Sequence, residues 1–340
     1  MKSKNCTKWV VTALVAGIGL AMPTGSLAQI VMTANDALNT SSFNAAGTWN
    51  NGLAPAAGST YTTAGFLLRG PSSGAGPYVF AGDSLTVGGP LGSGATPFSP
   101  TTANNNALIF KVSGQTLTVN NLILDGGQIR DGNGNGNYTF LNGNIFVTAN
   151  GGAFMAQDTN FINSAISGSS IIYIGNNGNG SAQRVIFFTS PSSTFNGNIW
   201  LTNTVGVANS RLAFAPGSIM NFSIGANGVN NHIFGNGTLE LGGNFNFDLT
   251  GADNTLGNSW SIVDQVNSAV SYDGTFAVNG FTQNGLLWDD PIGNGNQFQY
   301  DMGTGFLSVV PIPEPSVLSL MGGLGLLGLV WRRRSKAIAK

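Results

Sequence analysis

The strongest constraint on the fold is a pattern of short apolar runs between residues 29 and 310, with no amphipathic helical repeat of useful length. The runs are rich in β-branched and aromatic residues and are separated by turns of Gly and Asn. Such runs are typical of β-strands, and Gly and Asn tolerate the positive φ of tight turns. The clearest runs are ALIFKV (107–112), QTLTVNNLIL (115–124), NIFVTA (144–149), SIIYIG (170–175), RVIFF (184–188) and NIWLT (198–202). The pattern predicts an all-β protein.

A weak internal repeat indicates how the strands are arranged. NGNIFV (142–147) recurs 54 residues later as NGNIWL (196–201), and GNGTLELGG (235–243) has the look of a related unit. This spacing corresponds to two or three coils of a solenoid. Coil-like repetition with many Asn favours a parallel β-helix, in which Asn side chains stack in ladders. A β-sandwich or jelly roll has similar strand statistics and is the alternative.

The charge of the central region excludes one class of partner. Five basic residues and all 14 acidic residues lie between positions 29 and 315, which gives this span a formal charge of −9. A surface of this sign repels the phosphates of nucleic acids, so we predict no nucleic-acid binding. The single cysteine, Cys6, precedes this span. The chain after residue 28 is therefore expected to have no disulfide, no thiol nucleophile and no Cys-based metal site.

Residues 1–28 have the three-part pattern of a secretory signal peptide. Three lysines precede an apolar stretch over residues 9–22, and the small residues Ser26 and Ala28 follow it. This pattern predicts a signal-peptide helix that signal peptidase removes by cleaving between Ala28 and Gln29. The remainder of the chain is expected to be exported.

A second apolar segment lies near the C-terminus, at residues 317–331, and is followed by Arg332, Arg333 and Arg334. Its 15 residues reach about 22 Å as a helix, somewhat less than the roughly 30 Å hydrocarbon core of a bilayer. Snorkelling arginines and flanking residues can bridge the difference. The positive-inside rule keeps the three arginines cytoplasmic. The segment is therefore predicted to be a transmembrane helix with a basic cytoplasmic stop.

Pro313, Glu314 and Pro315 stand immediately before this apolar segment. A PEP motif, an apolar helix and an arginine cluster, in this order, resemble the PEP-CTERM sorting signal of exported bacterial proteins. The resemblance implies that an exosortase, a membrane protease, recognises the motif and removes the tail. The protein would then be held transiently in the inner membrane before reaching the cell surface or the extracellular space.

Two other stretches resemble exported PEP-CTERM proteins with autotransporter-like β-helical bodies. AAGTWNNGLAPAAGSTY (45–61) is similar to their N-terminal segment, and GADNTLGNSWSIVDQ (251–265) to the start of their closing module. The resemblance implies a fold and a destination, with no activity attached. We divide the chain into a signal peptide (1–28), a β-solenoid-like body (29–250), a C-terminal β module (251–310) and a sorting signal (311–340).

Residues that could carry out catalysis are sparse. Asp125, Arg130 and Asp131 are neighbours in sequence, and a polysaccharide lyase or hydrolase would need them to converge in a groove. The pair Asp289 and Asp290 precedes a proline and is predicted to form a turn. No G-x-S-x-G or phosphate-binding loop occurs. We therefore predict a protein that is not an enzyme.

The sequence also offers little for a metal or cofactor. His232 is the only histidine and cannot build a zinc site alone. The loop at 125–137 spaces Asp and Asn oxygens as calcium loops do, but Asn142 stands where a bidentate Glu is needed. No cofactor is predicted, and calcium at this loop is the alternative.

Four tryptophans, Trp49, Trp200, Trp260 and Trp288, offer rings that could stack on sugars. Tryptophan in a β protein is more often part of the core, so exposure of these rings in a row is what a carbohydrate-binding module would require. We predict an exported structural or adhesion protein of an extracellular polysaccharide matrix or biofilm. The alternatives are the β-helix lyase or hydrolase and the carbohydrate-binding module.

Overall fold

The structure is a computed structural model, and it describes residues 29–72, 76–91, 95–96, 98–99, 103–111, 113–132, 138–176, 184–202 and 210–313. The regular secondary structure of these residues is all β, which confirms the predicted class. No helix in them is long and apolar enough to cross a membrane. The predicted helices of the signal peptide and the tail lie outside these residues, as do Ala28, Glu314, Pro315 and Arg332 to Arg334.

The described residues form 27 strands. The first thirteen are β1 (Ile30–Val31), β2 (Thr60–Thr62), β3 (Leu67–Arg69), β4 (Tyr78–Val79), β5 (Ser84–Gly88), β6 (Ala107–Phe110), β7 (Thr116–Asp125), β8 (Gln128–Asp131), β9 (Tyr138–Val147), β10 (Gly152–Ala156), β11 (Thr159–Ile162), β12 (Ala165–Ser167) and β13 (Ile172–Asn176). The others are β14 (Val185–Phe188), β15 (Ile199–Leu201), β16 (Arg211–Phe214), β17 (Ile219–Ser223), β18 (Ile233–Gly235), β19 (Thr238–Leu241), β20 (Asn244–Asp248), β21 (Ser259–Ser261), β22 (Ala269–Tyr272), β23 (Ala277–Val278), β24 (Thr282–Asn284), β25 (Leu287–Gly293), β26 (Asn296–Asp301) and β27 (Phe306–Pro311).

Three of the four sheets are parallel. The long sheet has 12 strands in the order β1-β2-β5-β7-β9-β11-β14-β16-β19-β22, with β4 beside β7 and β12 beside β9. The second sheet has seven, in the order β18-β15-β13-β10-β8-β6-β3, and the short sheet is β17-β20-β23. Sandwiches and jelly rolls pair their strands antiparallel. In the described residues, antiparallel strand pairing is confined to the fourth sheet, which we call the terminal sheet.

Parallel register brings similar side chains into stacked rows. In the second sheet, Leu108, Ile129, Phe154 and Ile174 occupy one register row, and each is at most 2% exposed. Residues on either side of this row in sequence point to the opposite face, because side chains alternate along a strand. The core of the parallel sheets is therefore a set of aliphatic and aromatic rows that run across the strands.

Asparagine ladders accompany these apolar rows. Asn246 donates its side-chain N–H to Asn221 Oδ1 at 3.1 Å, and Asn279 donates in turn to Asn246 Oδ1. Asn221 and Asn246 are register partners in β17 and β20. The ladder satisfies polar side chains on consecutive strands and strengthens the same register that the core requires.

The terminal sheet has the order β21-β27-β26-β25-β24 and is antiparallel throughout. Trp260 and Tyr300 are fully buried in it, and the Tyr300 ring packs 5.9 Å from that of Phe245 in the short sheet. The terminal sheet thus covers apolar side chains at the end of the parallel sheets.

The structure corrects the turn predicted at Asp289 and Asp290. Both lie within β25, opposite Gln299 and Phe298 of β26. Asp289 Oδ1 accepts hydrogen bonds from the side-chain amides of Gln297 (3.0 Å) and Gln299 (2.9 Å). The strand accommodates Pro291 because a bulge interrupts the register between Pro291 and Gly293.

Candidate carbohydrate-binding surface

Asp125, the first of the three residues singled out for catalysis, lies at the end of β7 in the long sheet. Its Oδ1 accepts hydrogen bonds from Thr148 Oγ1 (2.5 Å) and Asn150 Nδ2 (2.8 Å). The other two, Arg130 and Asp131, end β8 in the second sheet. The carboxylates of Asp125 and Asp131 thus belong to different sheets and hold different partners.

Asp131 is buried, with 1% of its surface exposed. It accepts hydrogen bonds from the backbone N–H groups of Gln157 (2.6 Å) and Asp158 (3.0 Å) and from Asn160 Nδ2 (3.1 Å). Burial raises the pKa of Asp131 to about 6, and these N–H donors oppose that rise. Its contacts are those of a residue that fixes the backbone of the next strand connection, and its burial keeps it away from a polymeric substrate.

The described residues contain no group of three or more His, Cys, Asp and Glu side chains that could hold a metal ion. His232 is half-buried, and its ring lies 4.7 Å from that of Phe234. Burial lowers the pKa of His232, while a hydrogen bond with the Asn230 backbone and the charge of Asp264 raise it. Residues 133–137 of the candidate calcium loop lie outside the described residues.

Three of the four tryptophans belong to the core. Trp49, Trp260 and Trp288 are 3%, 0% and 7% exposed. The indole N–H groups of Trp49 and Trp260 donate to backbone carbonyls at 2.7 and 2.8 Å, as buried indoles require. The fourth, Trp200, is only half-buried and lies on the outer face of the second sheet, between the inward-pointing Ile199 and Leu201.

Trp200 is the centre of an aromatic row formed with Tyr173 and Phe234. The three residues are register partners on β13, β15 and β18, and all three are half-buried. The ring centroids of Tyr173 and Trp200 are 5.3 Å apart and tilted by 49°, and those of Trp200 and Phe234 are 5.7 Å apart at 15°. The row is continuous across three adjacent strands.

A recess of about 460 Å³ opens at the Phe234 end of the aromatic row. Its lining combines the two ring surfaces with amide, hydroxyl and carboxylate groups, from Trp200, Thr202, Phe234, Gly235, Asn236, Asp264 and Asn267. Asp264 Oδ2 accepts a hydrogen bond from Asn267 Nδ2 at 2.9 Å, which orients both side chains. Aromatic surface beside a few oriented polar groups, in a recess of this volume, is the composition of a small-ligand site. It suits a sugar, whose ring carries C–H faces and hydroxyl edges.

A second aromatic row lies on the long sheet, and its rings are more closely stacked. Phe140, Phe161 and Phe187 stack with centroids 5.0 Å apart and interplanar angles of 20° and 12°. The two faces of Phe161 are therefore both covered by its neighbours. This phenylalanine row stabilises strand pairing and provides a natural control for the row that contains Trp200.

Tyr173 and Phe234 were not among the residues singled out from the sequence. A signal was present, since each stands between an inward aliphatic residue and a further strand residue: IYI (172–174), IWL (199–201) and IFG (233–235). The sequence did not reveal that the three triplets are neighbours in one sheet. Trp200 lies 27 positions after Tyr173 and 34 positions before Phe234, and their pairing follows from the strand register, which the sequence does not show.

Comparison with known proteins finds a match in the tail. Residues 311–334 match the model of the PEP-CTERM protein-sorting motif. The match supports the predicted motif and indicates a protein that is exported and sorted through an exosortase. It begins at Pro311, where β27 ends, and Pro313 is exposed. No curated protein and no solved structure matches the chain.

Proposed function

We propose that this is a non-enzymatic structural or adhesion protein of the cell surface or extracellular matrix, and that it binds polysaccharide through the aromatic row. In this proposal the body is a parallel β-helix, delivered after signal peptidase and the exosortase have acted at its two ends. The observation that carries the proposal is the row of Tyr173, Trp200 and Phe234 with the polar recess beside it.

The alternation of the sheets along the chain supports the β-helix. From β5 to β16, strands of the long sheet and the second sheet alternate, except that β12 follows β11 in the long sheet and pairs with β9. Each other return to a sheet adds a strand beside the preceding one. Repeated parallel return of this kind is how a solenoid stacks its coils. An extended stack of coils offers a long outer face, which is suited to contact with a polymer.

The arrangement of the carboxylates supports a role in binding over a role in cleavage. Glycosidases need two carboxyl groups on either side of the scissile bond. Of the three candidates, Asp131 is buried and holds backbone N–H groups, and Asp125 belongs to the other sheet. The recess at the aromatic row contains one carboxylate, that of Asp264.

The test is binding of the full chain, in mild detergent, to a panel of polysaccharides by affinity electrophoresis and co-sedimentation. We expect Trp200→Ala to weaken binding about tenfold, because a central aromatic contact is worth at least about 1.4 kcal/mol. Phe161→Ala, which removes the middle ring of the other row, is the matched control and should bind as the parent does. Equal binding by Trp200→Ala and the parent, or release of new reducing ends from any polysaccharide, would contradict the proposal.

A further inference from the structure

Three of the five basic residues in the span 29–315 lie together on the second sheet. Arg69 on β3 and Arg130 on β8 are both register partners of Ile109 on β6. Lys111 follows Ile109 by two positions, which places it on the same face of that chain segment. Strands in a sheet are about 4.8 Å apart, so the three cations are grouped within roughly 10 Å of one another. We call Arg69, Lys111 and Arg130 the basic cluster.

Ion pairing does not explain the basic cluster. The salt bridge that the structure shows, between Arg211 and Glu240, does not involve the basic cluster. Arg69 Nε donates to the backbone oxygen of Asp36 at 3.1 Å, and Lys111 Nζ to that of Gly132 at 3.0 Å. These carbonyl contacts hold the side chains in place, and Asp36 Oδ2 accepts a hydrogen bond from the backbone N–H of Arg69 at 2.8 Å.

The third residue of the basic cluster, Arg130, has a polar atom without a hydrogen-bond partner. Its Nε is buried and makes no hydrogen bond. Burial, followed by the charge of Arg69, lowers the pKa of Arg130 to about 10, although Asp131 opposes this. The pKa of Lys111 is lowered by burial and then by Arg69 and Arg130. Like charges thus repel one another inside a body that is otherwise acidic, and an anion bound between them would offset the repulsion.

The basic cluster is connected to the recess by a register row. Arg130 is the partner of Met155, and Met155 is the partner of Gly175. A side chain at Gly175 would lie 3.0 Å from Thr202 Oγ1, and Thr202 lines the recess beside the aromatic row. Met155 is fully buried, and a side chain at Gly175 would lie 2.6 Å from Met155 Sδ, so this stretch of the row is covered by packed side chains. A polymer that contacts both sites must therefore cross the strands over these packed side chains.

We propose that the basic cluster binds the acidic groups, carboxylate or sulfate, of a polysaccharide whose sugar rings contact the aromatic row. This inference rests on the proposed function and adds to it the chemical class of the ligand. Guanidinium and ammonium groups suit an acidic polysaccharide, since they bind oxyanions through charge-assisted hydrogen bonds. Nucleic acid is disfavoured because the remaining surface carries many more acidic than basic residues, which repels a continuous phosphate backbone.

The test compares Lys111→Gln with Arg211→Gln in the full chain. Both substitutions remove one positive charge. Arg211 lies on the long sheet, away from the basic cluster, and forms a salt bridge with Glu240 of the same sheet. The probes are polygalacturonate, dextran sulfate, neutral dextran and duplex DNA. We expect Lys111→Gln to weaken binding to at least one acidic polysaccharide three- to tenfold, and Arg211→Gln to leave it unchanged. Binding of the parent should fall as salt is raised. Arg69→Gln provides a second variant that should act in the same direction.

The outcomes separate this inference from the proposed function. If Trp200→Ala loses binding to neutral dextran and Lys111→Gln has no effect on any probe, the inference of an acidic ligand is wrong. The proposed role of the aromatic row in binding is then still supported. An effect of Lys111→Gln without one of Trp200→Ala would support the basic cluster and contradict the row. Binding to duplex DNA that depends on Lys111 would overturn the inference. Binding of inorganic sulfate alone, with no binding of any acidic polysaccharide, would also overturn it.

Discussion

At the scale of the single residue, Asp131 shows how burial and hydrogen bonding compete. Burial penalises the carboxylate, while three N–H groups stabilise it, and the pKa settles at about 6 because burial is the larger effect. In the sequence Asp131 stands beside Arg130, and with Asp125 the two were what the lyase or hydrolase alternative would need. Its actual partners lie 26 to 29 positions further along the chain. Hydrogen bonds between residues this far apart in the sequence depend on strand register and could not be predicted from the local sequence.

The raised pKa of Asp131 predicts a pH-dependent cost for Asp131→Asn. Because the pKa is higher in the folded than in the unfolded chain, the stabilisation from a protonated Asp131 is fully present below the unfolded pKa of 3.8 and is lost as the pH rises through about 6. The free-energy cost of Asp131→Asn should thus be about 2 kcal/mol larger at pH 4.5 than at pH 7. Urea unfolding at the two pH values measures it.

The matched control for this measurement is Thr139→Val. Thr139 Oγ1 donates to Asn160 Oδ1 at 2.5 Å in the same buried network and carries no titratable group, so its cost should not change with pH. A cost of Asp131→Asn that is larger at pH 7 than at pH 4.5 would mean that the N–H donors outweigh burial and that the carboxylate is ionised in the fold.

At the scale of the element, composition predicted the strands well, because strand propensity is local. ALIFKV became β6, QTLTVNNLIL became β7 and RVIFF became β14, each within two residues at either end. The pairing of the elements is set by contacts between coils and was not available from composition. A case is the bulge in β7, where the register with β9 shifts between Val119 and Asn121.

Gly143 lies opposite this bulge, and we expect its substitution to lower the free energy of unfolding by an amount specific to this position. Its φ is +113°, and a Cβ there would lie 2.0 Å from the Val119 carbonyl oxygen. Gly143→Ala should lower the free energy of unfolding by about 2–4 kcal/mol, since it adds a backbone collision to an unfavourable φ. Gly228→Ala is the control: its φ is +75° with nothing within 4 Å, and its cost should be about 1 kcal/mol. Equal costs in denaturant titrations would show that β7 shifts to relieve the collision.

At the scale of the whole molecule, the sorting tail begins where the folded body ends. β27 lies between β21 and β26 in the terminal sheet and buries Leu307 and Val309. The backbone N–H of Ile312 still donates to Gly295 O at 2.7 Å. The tail was recognisable from sequence because its three parts are contiguous. The dependence of the terminal sheet on its last strand is a long-range property that only the structure provides.

This proximity predicts where the mature chain ends. A cut before Phe306 would remove β27 and expose Trp260, which pairs with Leu307, so a stable product must retain the chain through Ile312. Mass spectrometry of the protein from cells and medium should therefore find Gln29 at one terminus and a residue close to Pro315 at the other. The double variant Pro313→Ala, Pro315→Ala should keep the tail, whereas Pro311→Ala, a proline outside the motif, should be processed. Persistence of Arg332 to Arg334 in the parent protein of membrane fractions would make the tail a permanent anchor, and the body would then act only at the surface of the cell that made it.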